Sequence, residues 1–114
     1  MAALREKQSL FVHLTALFIF EAERCGYELT DGDSYRDPRV HGKVGEKMGY
    51  GHPRSNHKQR LAKDWNLFKD GKLIRTIKGY EPLGTFWESL HPLARWGGRW
   101  GDAPHFSLEH EGQK

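Results

Sequence analysis

Four residues in two short stretches have the types and spacing that could do chemistry. "PRSNHKQRLAKDWNLF", residues 53–68, places His57 and Asp64 seven positions apart, and "DAPH", residues 102–105, places Asp102 three positions before His105. A zinc ion that does hydrolysis takes three protein ligands, usually imidazole nitrogen or carboxylate oxygen, and keeps its fourth position for water. The ion acidifies that water and polarises a carbonyl, and a nearby carboxylate is needed to move protons. His57, Asp64, Asp102 and His105 together supply a complete set. A lone His–Asp pair is more often a hydrogen-bonded surface pair, so the second stretch is what raises the first above that reading.

The rest of the composition narrows the choice. The chain has 114 residues and one cysteine, Cys25, which rules out an intramolecular disulfide and a cysteine-rich structural zinc site. Its formal charge of +3 suits an anionic partner, although Lys and Arg alternate with Asp and Glu along most of its length. "LFVHLTALFIF", residues 10–20, is too short to span a bilayer and lacks a cleavage site behind it, so it reads as a buried helix in a chain without an export signal. The remaining histidines, His13, His41, His52, His91 and His110, have ordinary explanations in helix, loop and helix-end positions.

One domain is expected at this length. Apolar residues at Leu10, Leu14, Leu17 and Phe18 predict a helix over 7–25, with Ser9 as N-cap and Gly26 as the terminating glycine, packed across a small sheet. "YELT" at 27–30 reads as a strand. The Gly-, Pro- and charge-rich stretch from Asp31 to Asn56 reads as a substrate-lining loop. Residues 60–68 alternate so that Asp64 shares a face with Ala62, Asn66 and Phe68, opposite Leu61, Trp65 and Leu67. Asp70-Gly71 predicts a tight turn from this strand into "LIRTI". A second helix opens near Pro82, carries Leu83, Phe86, Trp87 and Leu90, and stops at Pro92. Glycine bends around Trp96 and Trp100 follow, then "HFSLEH" as a last strand. Trp65 and Trp87 are assigned to the core, whereas Trp96 and Trp100 suit either the core or a wall for substrate.

These stretches carry a resemblance. "SNHKQRLAKD" resembles the S-x-H-x6-D signature of the zinc peptidase family that contains the D-Ala-D-Ala carboxypeptidases and the phage L-alanyl-D-glutamate endopeptidases, and "DAPH" resembles its second motif, acid-x-x-His. "GYELTDGDSYRDP" is similar to the family's strand and Tyr-Arg segment, and "LHPLARWGGRW" to its phage branch, so the likeness covers about residues 7–110. Arg60 departs from it, standing where the family often has glycine.

The resemblance implies a small α+β fold in which an antiparallel sheet carries the metal and helices pack behind it, as in the Hedgehog/D-Ala-D-Ala peptidase-like arrangement. It implies one zinc ion on His57, Asp64 and His105. Asp102 is then the general base toward the attacking water and the acid toward the leaving amine, and Arg36 steadies the substrate carbonyl and the oxyanion. Ser55, Tyr35 and Trp96 are implied to contact substrate or support the ligands. The implied function is cleavage of the peptidoglycan stem peptide, at the L-Ala–D-Glu bond, by a monomeric phage or prophage endolysin. Such a protein is made in the bacterial cytoplasm and reaches the wall through a holin, without nucleic acid or stable membrane insertion. The alternatives are a D-Ala-D-Ala carboxypeptidase and a non-catalytic basic module that holds wall polymer or nucleic acid.

Overall fold

The computed structural model describes residues 3–32 and 56–114. The first helix, α1, runs over Leu4–Arg24. It starts earlier than the expected Ser9 because residues 4–9 are good helix formers with no breaker among them, and the Glu6 carboxylate accepts a hydrogen bond from the Ala3 backbone N–H at 3.3 Å. It ends at Cys25, with Gly26 in the left-handed region at φ 89°. Its buried face is Phe11, Leu14, Phe18 and Ala22. Leu17, expected in the core, is 41% exposed, because it sits about 100° round the helix from Phe18.

Five strands form one sheet: β1 (Tyr27–Asp31), β2 (Ala62–Lys69), β3 (Lys72–Leu73), β4 (Ala94–Trp96) and β5 (His105–Leu108). The order is β1-β2-β5-β4, with β3 added to the far end of β2, and every pairing is antiparallel. β2 is the spine: residues 65–69 pair with β1 and residues 62–64 with β5. Asp70 and Gly71 both have positive φ, 53° and 76°, which gives the two-residue turn of a twisted hairpin into β3.

That strand is shorter than "LIRTI" suggests. After Leu73 the Thr76 side chain accepts a hydrogen bond from Gly79 N–H at 3.0 Å and starts the second helix, α2, over Ile77–Ser89. The cap overrides the β-branched sequence, so α2 begins five residues before Pro82 rather than at it, and Pro82 lies inside the helix.

α1 and α2 cover one face of the sheet. At the centre Phe18 of α1 meets Phe106 of β5 at 4.6 Å between ring centres and Trp87 of α2 at 5.9 Å. All three are at most 1% exposed, and each such burial stabilises by about 1.5–3 kcal/mol. Trp87 Nε1 donates to the Ser107 carbonyl at 3.0 Å, which fastens α2 to β5. The molecule is thus α+β, with a small antiparallel sheet backed by helices. Among the described residues, no helix is long and apolar enough to cross a membrane.

Trp96 also belongs to this core. It is 1% exposed and donates Nε1 to the Ala103 carbonyl at 2.8 Å, so its ring packs inward and does not line a substrate wall. The ring lies flat against Gly84 of α2, where an added Cβ would land inside the indole. Gly84→Ala is therefore expected to destabilise the protein by about 1–3 kcal/mol in urea unfolding, although alanine is the better helix former.

Candidate metal centre

Asp64 of β2 and His105 of β5 are direct cross-strand partners, so their side chains leave the sheet on the same face, with Cβ atoms about 5 Å apart. Leu61, Leu67, Phe106 and Leu108, on the alternate positions, are buried in the core. Asp64 and His105 therefore lie on the face of the sheet turned away from the helices.

His57 comes from the turn that leads into β2. Arg60 N–H donates to the His57 carbonyl at 3.1 Å and Leu61 N–H to the Asn56 carbonyl at 2.7 Å, while fully buried Leu61 anchors the exit of the turn. Closing this turn puts Arg60 at φ 60°, a conformation that costs an L-residue roughly 1–2 kcal/mol.

Three donor atoms converge. His57 Nε2 is 3.3 Å from Asp64 Oδ1, His105 Nδ1 is 3.6 Å from the same oxygen, and the two nitrogens are 3.2 Å apart. A tetrahedral ion bonded at about 2.0–2.1 Å separates its ligands by roughly 3.3 Å, so the triangle already has the required size. The group could hold a metal ion. Two imidazoles and a carboxylate suit zinc or another first-row transition metal better than calcium or magnesium, which prefer all-oxygen sites.

The surroundings prepare the donors. His105 Nε2 lies 2.8 Å from the Lys114 backbone oxygen. That oxygen can only accept, so Nε2 carries the proton and, in the neutral ring, Nδ1 turns its lone pair toward the centre. Burial raises the Asp64 carboxyl pKa, but hydrogen bonds from His105 and His57 outweigh it and hold the group well below the usual carboxylate range. Its interactions in the folded state are therefore present above the ordinary value near 4 and are lost as pH falls below it.

Asp102 lies three residues before His105, in the lead-in to β5. It is exposed, and its main chain links Gly97 to β5: Asp102 N–H donates to the Gly97 carbonyl at 2.8 Å, and the Asp102 carbonyl accepts from His105 N–H at 3.2 Å. The close passage requires a glycine at 97, since a Cβ there would strike the Asp102 carbonyl and stand 2.7 Å from His105 Cβ. Burial raises the Tyr80 phenol pKa, a backbone hydrogen bond opposes the rise, and the charges of Asp64 and Asp102 both add to it. The two carboxylates are thus felt by one group.

The structure brings together His57, Asp64 and His105 and places Asp102 three residues before His105 at the start of the turn into β5. Ser55, Tyr35 and Arg36 lie outside the described residues, as does most of the stretch from Asp31 to Asn56. Trp96 is core, and the aromatic beside the centre is Trp100, 44% exposed with its ring 5.6 Å from that of His105. Sequence reading leaves Trp100 undecided and gives no hint of the Lys114 oxygen, since a backbone acceptor has no residue-type signal. No protein-family model, no curated protein and no solved structure matches the chain.

Two predictions follow from this geometry. Arg60→Gly should raise stability by up to about 1 kcal/mol, the relief of the left-handed strain less the entropy of glycine, as read by urea denaturation. His57→Ala, Asp64→Asn and His105→Ala should each weaken zinc or cobalt binding more than roughly a hundredfold, since loss of an outer partner alone costs 10–100-fold. Because imidazole ligates only in its neutral form, isothermal titration calorimetry in buffers of different ionisation heat should also show proton release at pH values below the ordinary histidine value. Affinity should accordingly rise with pH.

Proposed function

We propose that the protein is a zinc-dependent peptidase acting on the stem peptide of bacterial peptidoglycan, at the L-Ala–D-Glu bond, as a phage or prophage endolysin. The observation that carries this reading is the convergence of His57, Asp64 and His105 from a turn and two strands, with Asp102 three residues before the last ligand. Two sequence motifs that resemble those of one peptidase family thus meet at a single centre of tetrahedral dimensions.

One zinc ion on these three residues would supply Lewis acidity at the scissile carbonyl and acidify a water. The chain's own groups do the rest. Asp102, exposed and three residues before His105, takes the proton from the attacking water and returns it to the leaving amine nitrogen, so that one carboxylate serves both halves of the reaction. Arg36, by its likeness to the family's Tyr-Arg segment, steadies the oxygen on which negative charge develops, with Tyr35 and Ser55 beside the substrate. Trp100 gives an apolar wall next to His105 against which the peptide is held. The excess of positive charge favours an anionic wall.

The test is mass spectrometry of purified peptidoglycan after incubation with the protein. Release of a new amino terminus on D-Glu, abolished by a chelator and restored by zinc, is the expected result. Asp102→Ala should retain zinc and lose at least about a hundredfold in turnover, within the range for a general acid–base. Release of free D-Ala instead would identify a carboxypeptidase. Binding to the wall with no cleavage at any zinc concentration would exclude the enzyme.

A further inference from the structure

Asn56, the residue before His57, is 2% exposed. Its side-chain nitrogen donates to two carbonyls at once, those of Leu108 at 2.7 Å and Gln113 at 2.8 Å. Both partners are acceptors only, so chemistry fixes which end of the amide is the nitrogen. The Oδ1 atom is buried with no hydrogen bond, which leaves the whole of the amide's contribution on Nδ2.

Those two carbonyls bracket a compact turn. His110 and Gln113 exchange backbone hydrogen bonds, each at 2.9 Å. The next residue, Lys114, offers the oxygen that receives the His105 Nε2 proton. On its main-chain side Asn56 accepts the Leu61 N–H and so closes the turn that carries His57. A single residue therefore joins the segment holding one candidate ligand to the segment that orients another.

We infer that Asn56 is a positioning residue of the metal centre: its amide clamps the His110–Lys114 segment so that the Lys114 oxygen keeps the His105 proton on Nε2 and Nδ1 free to ligate. The inference rests on the metal reading of the centre for its purpose, but the orientation of His105 can be read without any metal. An asparagine that served only to satisfy the end of β5 would stabilise the fold and leave the tautomer of His105 unchanged.

The discriminating variant is Asn56→Asp, which keeps the shape and removes both donors, so that a carboxylate faces two carbonyls. Long-range 15N–1H NMR on the metal-free protein, about two pH units above the ordinary histidine value, should show the Nε2–H form of His105 in the wild type. Asn56→Asp should show a mixture of tautomers and bind zinc roughly ten- to a hundredfold more weakly, whereas Leu83→Ala, which loosens the buried face of α2, should lose stability and keep both properties. If Asn56→Asp does not fold, Asn56→Ala, which also removes both donors and buries no charge, is read in its place. An Nδ1–H wild type, or an unchanged tautomer and affinity in the folded variants, overturns the inference. Absence of zinc uptake by the wild type defeats the metal reading alone, and the NMR result still settles what Asn56 does.

Discussion

The register of β2 on β5 is the constraint on which everything else in this molecule depends. With Asp64 opposite His105 and Lys63 opposite Phe106, the pairing points the candidate metal donors to one side and the aromatic ring, with the Lys63 stem beside it, to the other. A slip of one residue would turn Asp64 into the core and Leu61 out of it. The penalty for burying a carboxylate among Phe18, Trp87 and Phe106 is what makes the register unique. Packing behind the sheet and chemistry in front of it are therefore consequences of the same alternation.

Much of this was legible in the chain. The alternation over residues 60–68 already sets Asp64 opposite Leu61, Trp65 and Leu67, and the Asp70-Gly71 turn has no competing interpretation. What escaped was decided by single contacts distant in sequence. The start of α2 hangs on one Thr76 hydroxyl against a β-branched run, and Trp96 is core only because Gly84 leaves a slot for it. An aromatic residue near a glycine bend has no local signal that distinguishes the two fates. The support of His105 was hidden for another reason, since its acceptor is backbone.

Arg60 shows how a resemblance and a departure from it can share one cause. The turn that presents His57 needs a left-handed residue at its end, and the backbone takes that conformation with arginine in place. Arginine leaves strain in the turn, and Leu61 is held on the far side by complete burial and by the Asn56 carbonyl.

The order of the strands has a consequence for how such a centre comes into being. His57 and Asp64 lie seven residues apart, whereas β5 must return across 41 residues to bring His105 beside Asp64. Contacts at that separation carry the larger loop-closure entropy and form late. A chain still emerging or only partly folded would thus offer two of the three candidate donors, His57 and Asp64, without the third. The three-donor group that could hold a metal ion is complete only after the last strand has docked, so any choice of ion would fall to the finished fold.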